Sequence, residues 1–176
     1  MKTIHDWFNE YGESHQNKTN KLIHWICIPL IFWSIIALLS LIPDPLLNIF
    51  SNSFLNGIMH WGTVVIFLGL FFYMRLSRSI FFGMLVFSIL VLMDIYLVVY
   101  LFDAHQFWGL FKSIKIDGRR FLMIMSIIVF ILSWILQFIG HKIEGKKPSF
   151  LKDIQFLLIG PAWLLGFIYK KNNIKI

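Results

Sequence analysis

Charge is what this sequence has least of. Of its 176 residues only 14% are Asp, Glu, Lys or Arg, against roughly a quarter in a water-soluble domain. That scarcity excludes a disordered chain and a separate soluble catalytic domain. Cysteine is down to one residue, Cys27, so no internal disulfide can hold a secreted scaffold together, and the redox compartment is not readable from it. Internal repeats and low-complexity tracts are also missing. A signal peptide does not fit, because some twenty polar or amphipathic residues precede the first apolar stretch.

What is present is apolar. Hydrophobic residues make up 58% of the chain, with 19 Phe, 7 Trp and a mean hydropathy of +0.74. This composition describes an all-α, polytopic bundle in the lipid bilayer, one integral membrane domain over residues 1–176. The net charge of +7 is small for a nucleic-acid binder and is accounted for by Lys and Arg flanking the spans.

Five apolar runs follow one another. Residues 22–42, 58–74, 80–102 and 121–139 carry between them a single formal charge, Asp94. Each is expected to form a helix crossing a hydrocarbon core of roughly 30 Å. The fifth run, 154–169, is shorter and has Gly160-Pro161 at its middle; a short span, a broken helix and a re-entrant segment all fit it. Ahead of the spans, Ile4, Trp7, Phe8 and Tyr11 recur at helical spacing, with Asp6, Asn9, Glu10 and Glu13 on the other side. Thr3 and Asp6 have capping-box spacing. This segment reads as an amphipathic helix lying at the membrane surface.

Basic residues set the expected orientation. With the N-terminus cytoplasmic, Lys2, Lys18, Lys21, Arg75, Arg78, Lys142, Lys146, Lys147 and Lys152 lie inside, and Lys112, Lys115, Arg119 and Arg120 outside. Whatever the absolute orientation, four spans place His5, His15, His24, His141 and Glu144 on one face, and His60 and His105 near the other.

His15 and His24 lie nine residues apart, on opposite sides of an uninterrupted helix. The polar stretch from Ser14 to Asn20 supplies a break, with Thr19 or Asn20 as N-cap of a helix from Lys21. His15 then sits on a turn and His24 near the start of the span, and a metal can be held between them. His141 directly follows the fourth span, and Glu144, three residues on, can share its direction. Three neutral imidazoles, with or without a carboxylate, suit Zn or non-haem Fe with open positions. For His5, His60 and His105 an interfacial hydrogen-bonding role is the better reading. Asp94 is some 14 residues from the histidine-bearing face, roughly 21 Å along a helix, and is expected to have a structural partner on another helix. Lys146-Lys147 is most simply a positive-inside anchor.

The run Tyr11-Gly-Glu-Ser-His15-Gln-Asn-Lys-Thr-Asn20-Lys-Leu-Ile-His24, followed by Pro29, resembles the N-terminal signature of the membrane-embedded 2-hydroxy fatty acid dioxygenases of fatty acid α-oxidation. Trp134, Gln137, Gly140-His141, Glu144, Pro148 and Gly160-Pro161 resemble that family's C-terminal block. Lys18 and Cys27 depart from the usual proline and glycine. The resemblance implies an Fe(II) enzyme that uses O2, without 2-oxoglutarate, to shorten a long-chain 2-hydroxy fatty acid by one carbon. It places the enzyme in the endoplasmic reticulum or the bacterial cell membrane. It also implies His15, His24 and His141 as ligands, and Asn20 and Glu144 as residues supporting them, Glu144 alternatively as a fourth ligand. Lys146 or Lys147 is then available to the substrate carboxylate. The competing readings are a Zn-dependent lipid hydrolase using the same histidines and a non-enzymatic transporter or scaffold. Membrane di-iron hydroxylases need more histidines than the six present.

Overall fold

In the computed structural model the described residues are 2–43, 53–105, 116–148 and 155–176, and every regular element among them is helical. In order these are α1 (Ile4–Gly12), α2 (Lys18–Ser40), α3 (Ser53–Ile58), α4 (Trp61–Leu76), α5 (Arg78–His105), α6 (Gly118–Glu144) and α7 (Phe156–Lys171). Lys112, Lys115, Lys152 and the start of the fifth apolar run lie outside the described residues.

Helices α2, α5 and α6 are long and apolar enough to cross a bilayer. The fourth expected span is matched only by a shorter apolar helix. Residues 58–74 divide at His60, whose backbone is extended (φ −154°, ψ 175°), and α4 ends at Ser77, also extended (φ −162°, ψ 130°). The resulting 16 residues reach about 24 Å, short of a core of roughly 30 Å. Hydropathy alone does not register such a break, because no charge marks it.

Local chemistry sets the ends of the helices around the histidines. The α1 capping box forms as the Thr3–Asp6 spacing predicts: Asp6 N donates to Thr3 Oγ1 at 3.2 Å, and Thr3 N donates to Asp6 Oδ2 at 2.8 Å. The N-cap of α2 is Asn17, not Thr19 or Asn20, because its Oδ1 accepts from the backbone N of both those residues at 2.8 and 3.3 Å. At the far end of α6, Gly145 adopts the left-handed conformation (φ 73°) and donates to the Lys142 carbonyl, while Lys146 N reaches back to the His141 carbonyl. This closing turn stops α6 just beyond His141 and Glu144. A Cβ at Gly145 would meet nothing within 4 Å, so Gly145→Ala should cost about 1–2 kcal/mol through backbone strain alone. Equilibrium unfolding in detergent would read it.

Packing follows the burial pattern. Helices α2 and α6 lie against each other over much of their length, with α4 and α7 also resting on α2. The Trp33 indole N–H donates to Asp94 at 2.7 Å, the expected structural partner, and ties α2 to α5. Helix α7 runs unbroken through Gly160-Pro161, which removes the broken-helix reading of the fifth run. The amphipathic helix is corrected in its surroundings. Ile4, Trp7 and Tyr11 are buried, and the last two join Phe156, Ile159 and Trp163 of α7 in one cluster. The stripe expected to face lipid headgroups is therefore covered by protein. Facing outward are Leu22, Ile26, Phe67, Leu68, Phe82, Leu90, Leu132 and many similar side chains, an exposed apolar surface too extensive for water.

Candidate metal centre

Three elements meet at the histidines. His15 lies on the turn between α1 and α2, His24 in the second turn of α2, and His141 in the last turn of α6. All three are at most 5% exposed. One ring nitrogen from each lies within 4.8 Å of the others, the one such cluster of His, Cys, Asp or Glu among the described residues. The rings stand edge to face, at 73–89° to one another. The break after Gly12 that the sequence supplies is what allows two histidines nine residues apart to face each other.

Backbone carbonyls fix the ring states. His15 Nδ1 lies 2.6 Å from the Tyr11 carbonyl and His24 Nδ1 2.9 Å from the Asn20 carbonyl. A carbonyl only accepts, so each Nδ1 carries the proton and each Nε2 keeps its lone pair. Burial pushes His15 down to about 4, so it is neutral at pH 7, the form a metal requires. His15 Nε2 and His141 Nδ1 are buried without any hydrogen-bond partner. Two buried ring nitrogens without partners are costly, and a cation shared by the three rings would satisfy such nitrogens in their deprotonated form. The donor set, all neutral nitrogen, suits Fe(II) or Zn(II) and leaves coordination positions free.

Glu144 serves the surroundings of this cluster. Its carboxylate accepts from Gln16 N and Asn17 N, both at 2.8 Å, and from Asn20 Nδ2 at 3.1 Å. Asn20 Nδ2 also donates to the Ser14 carbonyl at 3.1 Å. The acid at the end of α6 thus clamps the turn that carries His15 and the first turn of α2, with no carboxylate in the ligand cluster. Lys146 is turned elsewhere, its Nζ donating to the Glu13 carbonyl at 2.6 Å.

The cluster opens into a cavity of about 360 Å³ lined by α2, α6 and α7, mostly by apolar side chains, with Tyr11, Trp134, Gln137 and Gln155 as its polar exceptions besides the histidines. Neither Lys146 nor Lys147 lines it. Sequence reasoning gave Gln137 no role, yet it is buried and lines the cavity with His24 and His141; its position four residues before His141, on the same helical face, was the available signal. Likewise the Tyr11 ring stacks on His15 at 4.1 Å. A larger cavity of about 970 Å³, lined by Leu41, His60, Asp103 and Arg119, lies at the other end of α2. His60 is buried there with neither ring nitrogen bonded, but it belongs to no group of three ligating side chains among the described residues. His5 is exposed on α1.

The site and the fold define a helical protein with three helices long and apolar enough to cross a membrane and a buried three-histidine cluster that could hold a metal ion beside an apolar cavity. More narrowly, the chain belongs to the family described as 2-hydroxy-palmitic acid dioxygenase Mpo1-like, which matches residues 1–172. No curated protein and no solved structure matches it.

Proposed function

We propose that this protein is an Fe(II)-dependent membrane dioxygenase that shortens long-chain 2-hydroxy fatty acids by one carbon. The observation that carries the reading is the cluster of three buried imidazoles, two of them with an unpartnered ring nitrogen, opening into an apolar cavity. His15, His24 and His141 would hold the metal. When bound, Fe(II) supplies the charge that balances the substrate's carboxylate and the one-electron exchange with O2 that side chains cannot. The protein's part is arrangement. The carbonyls of Tyr11 and Asn20 hold two rings in the ligating tautomer, Gln137 offers an amide to the hydroxy-acid head, and the apolar walls keep water from the reacting carbons. Lys146, engaged with Glu13, and Lys147, outside the cavity, are better placed as anchors on the cytoplasmic side than as partners of the carboxylate. The reaction needs no separate reductant. When the carboxyl carbon leaves as CO2 and the hydroxyl-bearing carbon becomes the new carboxyl, the electrons released match those O2 takes up.

The test is anaerobic loading with Fe(II) and 2-hydroxypalmitic acid, then admission of O2 with mass spectrometry of the acyl product. Stoichiometric iron and an O2-dependent product one carbon shorter are expected. Turnover that proceeds without O2 would assign the site to a hydrolase instead, and protein that neither holds metal nor consumes the acid would leave the transporter or scaffold reading.

A further inference from the structure

The cavity does not stop at the histidines. Its α2 wall consists of His24, Ile28, Ile31, Phe32, Ile35 and Ile36, spaced so that all lie on one face of the helix. From His24 to Ile36 is 12 residues, or about 18 Å at about 1.5 Å per residue. A lipid tail fills one leaflet of a hydrocarbon core of roughly 30 Å, about 15 Å. No described α2 residue beyond Ile36 lines the space. The far end closes because α4 comes down hard on α2 there. A Cβ on Gly62 would lie 2.8 Å from the Ile36 carbonyl, so only glycine permits that approach. Val65, one turn further along α4, completes the wall.

Resting on the proposed reaction, we infer that this channel measures the acyl chain: the hydroxy-acid head sits at the histidines, the tail runs along α2, and Ile35, Ile36 and Val65 form the floor that limits its length. The occupant is a single saturated chain about as long as one leaflet is deep. A lipid tail entering from the bilayer is the competing occupant, and it would not require a head at the metal. Val65 is the best handle, because at 41% exposed it can be enlarged without overfilling the interior.

Two measurements on the full-length, iron-loaded protein in nanodiscs test this. In the first, 2-hydroxypalmitic acid bearing a diazirine on its terminal carbon is photolysed and the labelled peptides are mapped. Label on Ile35, Ile36 or Val65, displaced by unlabelled 2-hydroxypalmitic acid, is expected; undisplaced label spread over outward-facing Phe67 and Leu68 would overturn the channel. In the second, Val65→Phe is compared with wild type across 2-hydroxylauric, 2-hydroxypalmitic and 2-hydroxyarachidic acids. Its kcat/KM for palmitic relative to lauric length should fall about tenfold or more, with iron content unchanged. Turnover with an unaltered length profile would remove the floor and leave the reaction standing. Displaceable label at the floor without any product would remove the reaction and leave the channel standing.

Discussion

Alanine at His15, His24 or His141 should each abolish stoichiometric iron and reduce O2-dependent turnover of 2-hydroxypalmitic acid to background. The reason is geometric. The cluster supplies three nitrogens and no carboxylate, so removing one leaves two neutral donors, too few to hold a divalent ion against water. The three variants should fold, because on the proposed reading each ring is held at a site that the ion, and not packing alone, makes favourable. Two buried, unpartnered nitrogens, His15 Nε2 and His141 Nδ1, are then removed when their own residue is truncated. A second measurement follows from the same physics: iron should raise the melting temperature of the wild type and leave all three variants unmoved, since a ligand that binds only the native state stabilises it by mass action. His60→Ala is the control. It is buried and unpartnered as well but lies in the other cavity, and it should retain iron. Wild-type iron stoichiometry persisting in all three variants would remove the histidines from the ligand set.

The histidine cluster was legible because it depends on chain topology and on one break, both written in the sequence. The four crossings expected from the sequence return residue 141 to the side of residues 15 and 24, although only three of the described helices are long enough to cross a bilayer, and the polar run from Ser14 to Asn20 says where the helix stops. What escaped was whatever depends on competition between neighbours. Asn17, Thr19 and Asn20 are all good caps, and only the backbone decides that Asn17 takes the role while Asn20 turns inward to Ser14 and Glu144. Lys146 looked available to a carboxylate because a long flexible side chain has no fixed direction in sequence; the Glu13 carbonyl claims it. The apolar stripe of α1 was correct in its periodicity, but periodicity does not distinguish a lipid surface from the side of α7. The break at His60 had no charge, proline or glycine run to announce it, so the run reads as one helix from residue 58, whereas α4 starts at Trp61. The cavity floor rests on Gly62, a single residue whose meaning depends on what faces it.

The second large effect is expected at the Glu144 clamp, where one carboxylate secures the turn that carries His15 from outside the histidine cluster. Its two oxygens take Gln16 N, Asn17 N and Asn20 Nδ2, backbone and side-chain donors that would otherwise be left at the exposed start of α2. Glu144→Gln keeps the shape but removes the charge and turns one oxygen into a donor facing donors. Iron affinity should fall about 10–100-fold, the usual cost of disturbing the groups that orient a ligand, with the ion still bound at saturating iron. Gly140→Ala approaches the same clamp from beneath. The added Cβ would fall 2.4 Å from Asn20 Oδ1, an atom buried without a hydrogen bond, so Asn20 must move and release both the Ser14 carbonyl and Glu144. Overfilling of this kind costs about 1–3 kcal/mol, and here it should appear as a lower melting temperature together with weakened iron. Because both changes act through Asn20, the double variant should lose less than the sum of the singles, as contacts within one network do. Independent, additive losses in iron affinity would mean that Glu144 and Gly140 support the site by separate routes, and that the clamp is not a single unit.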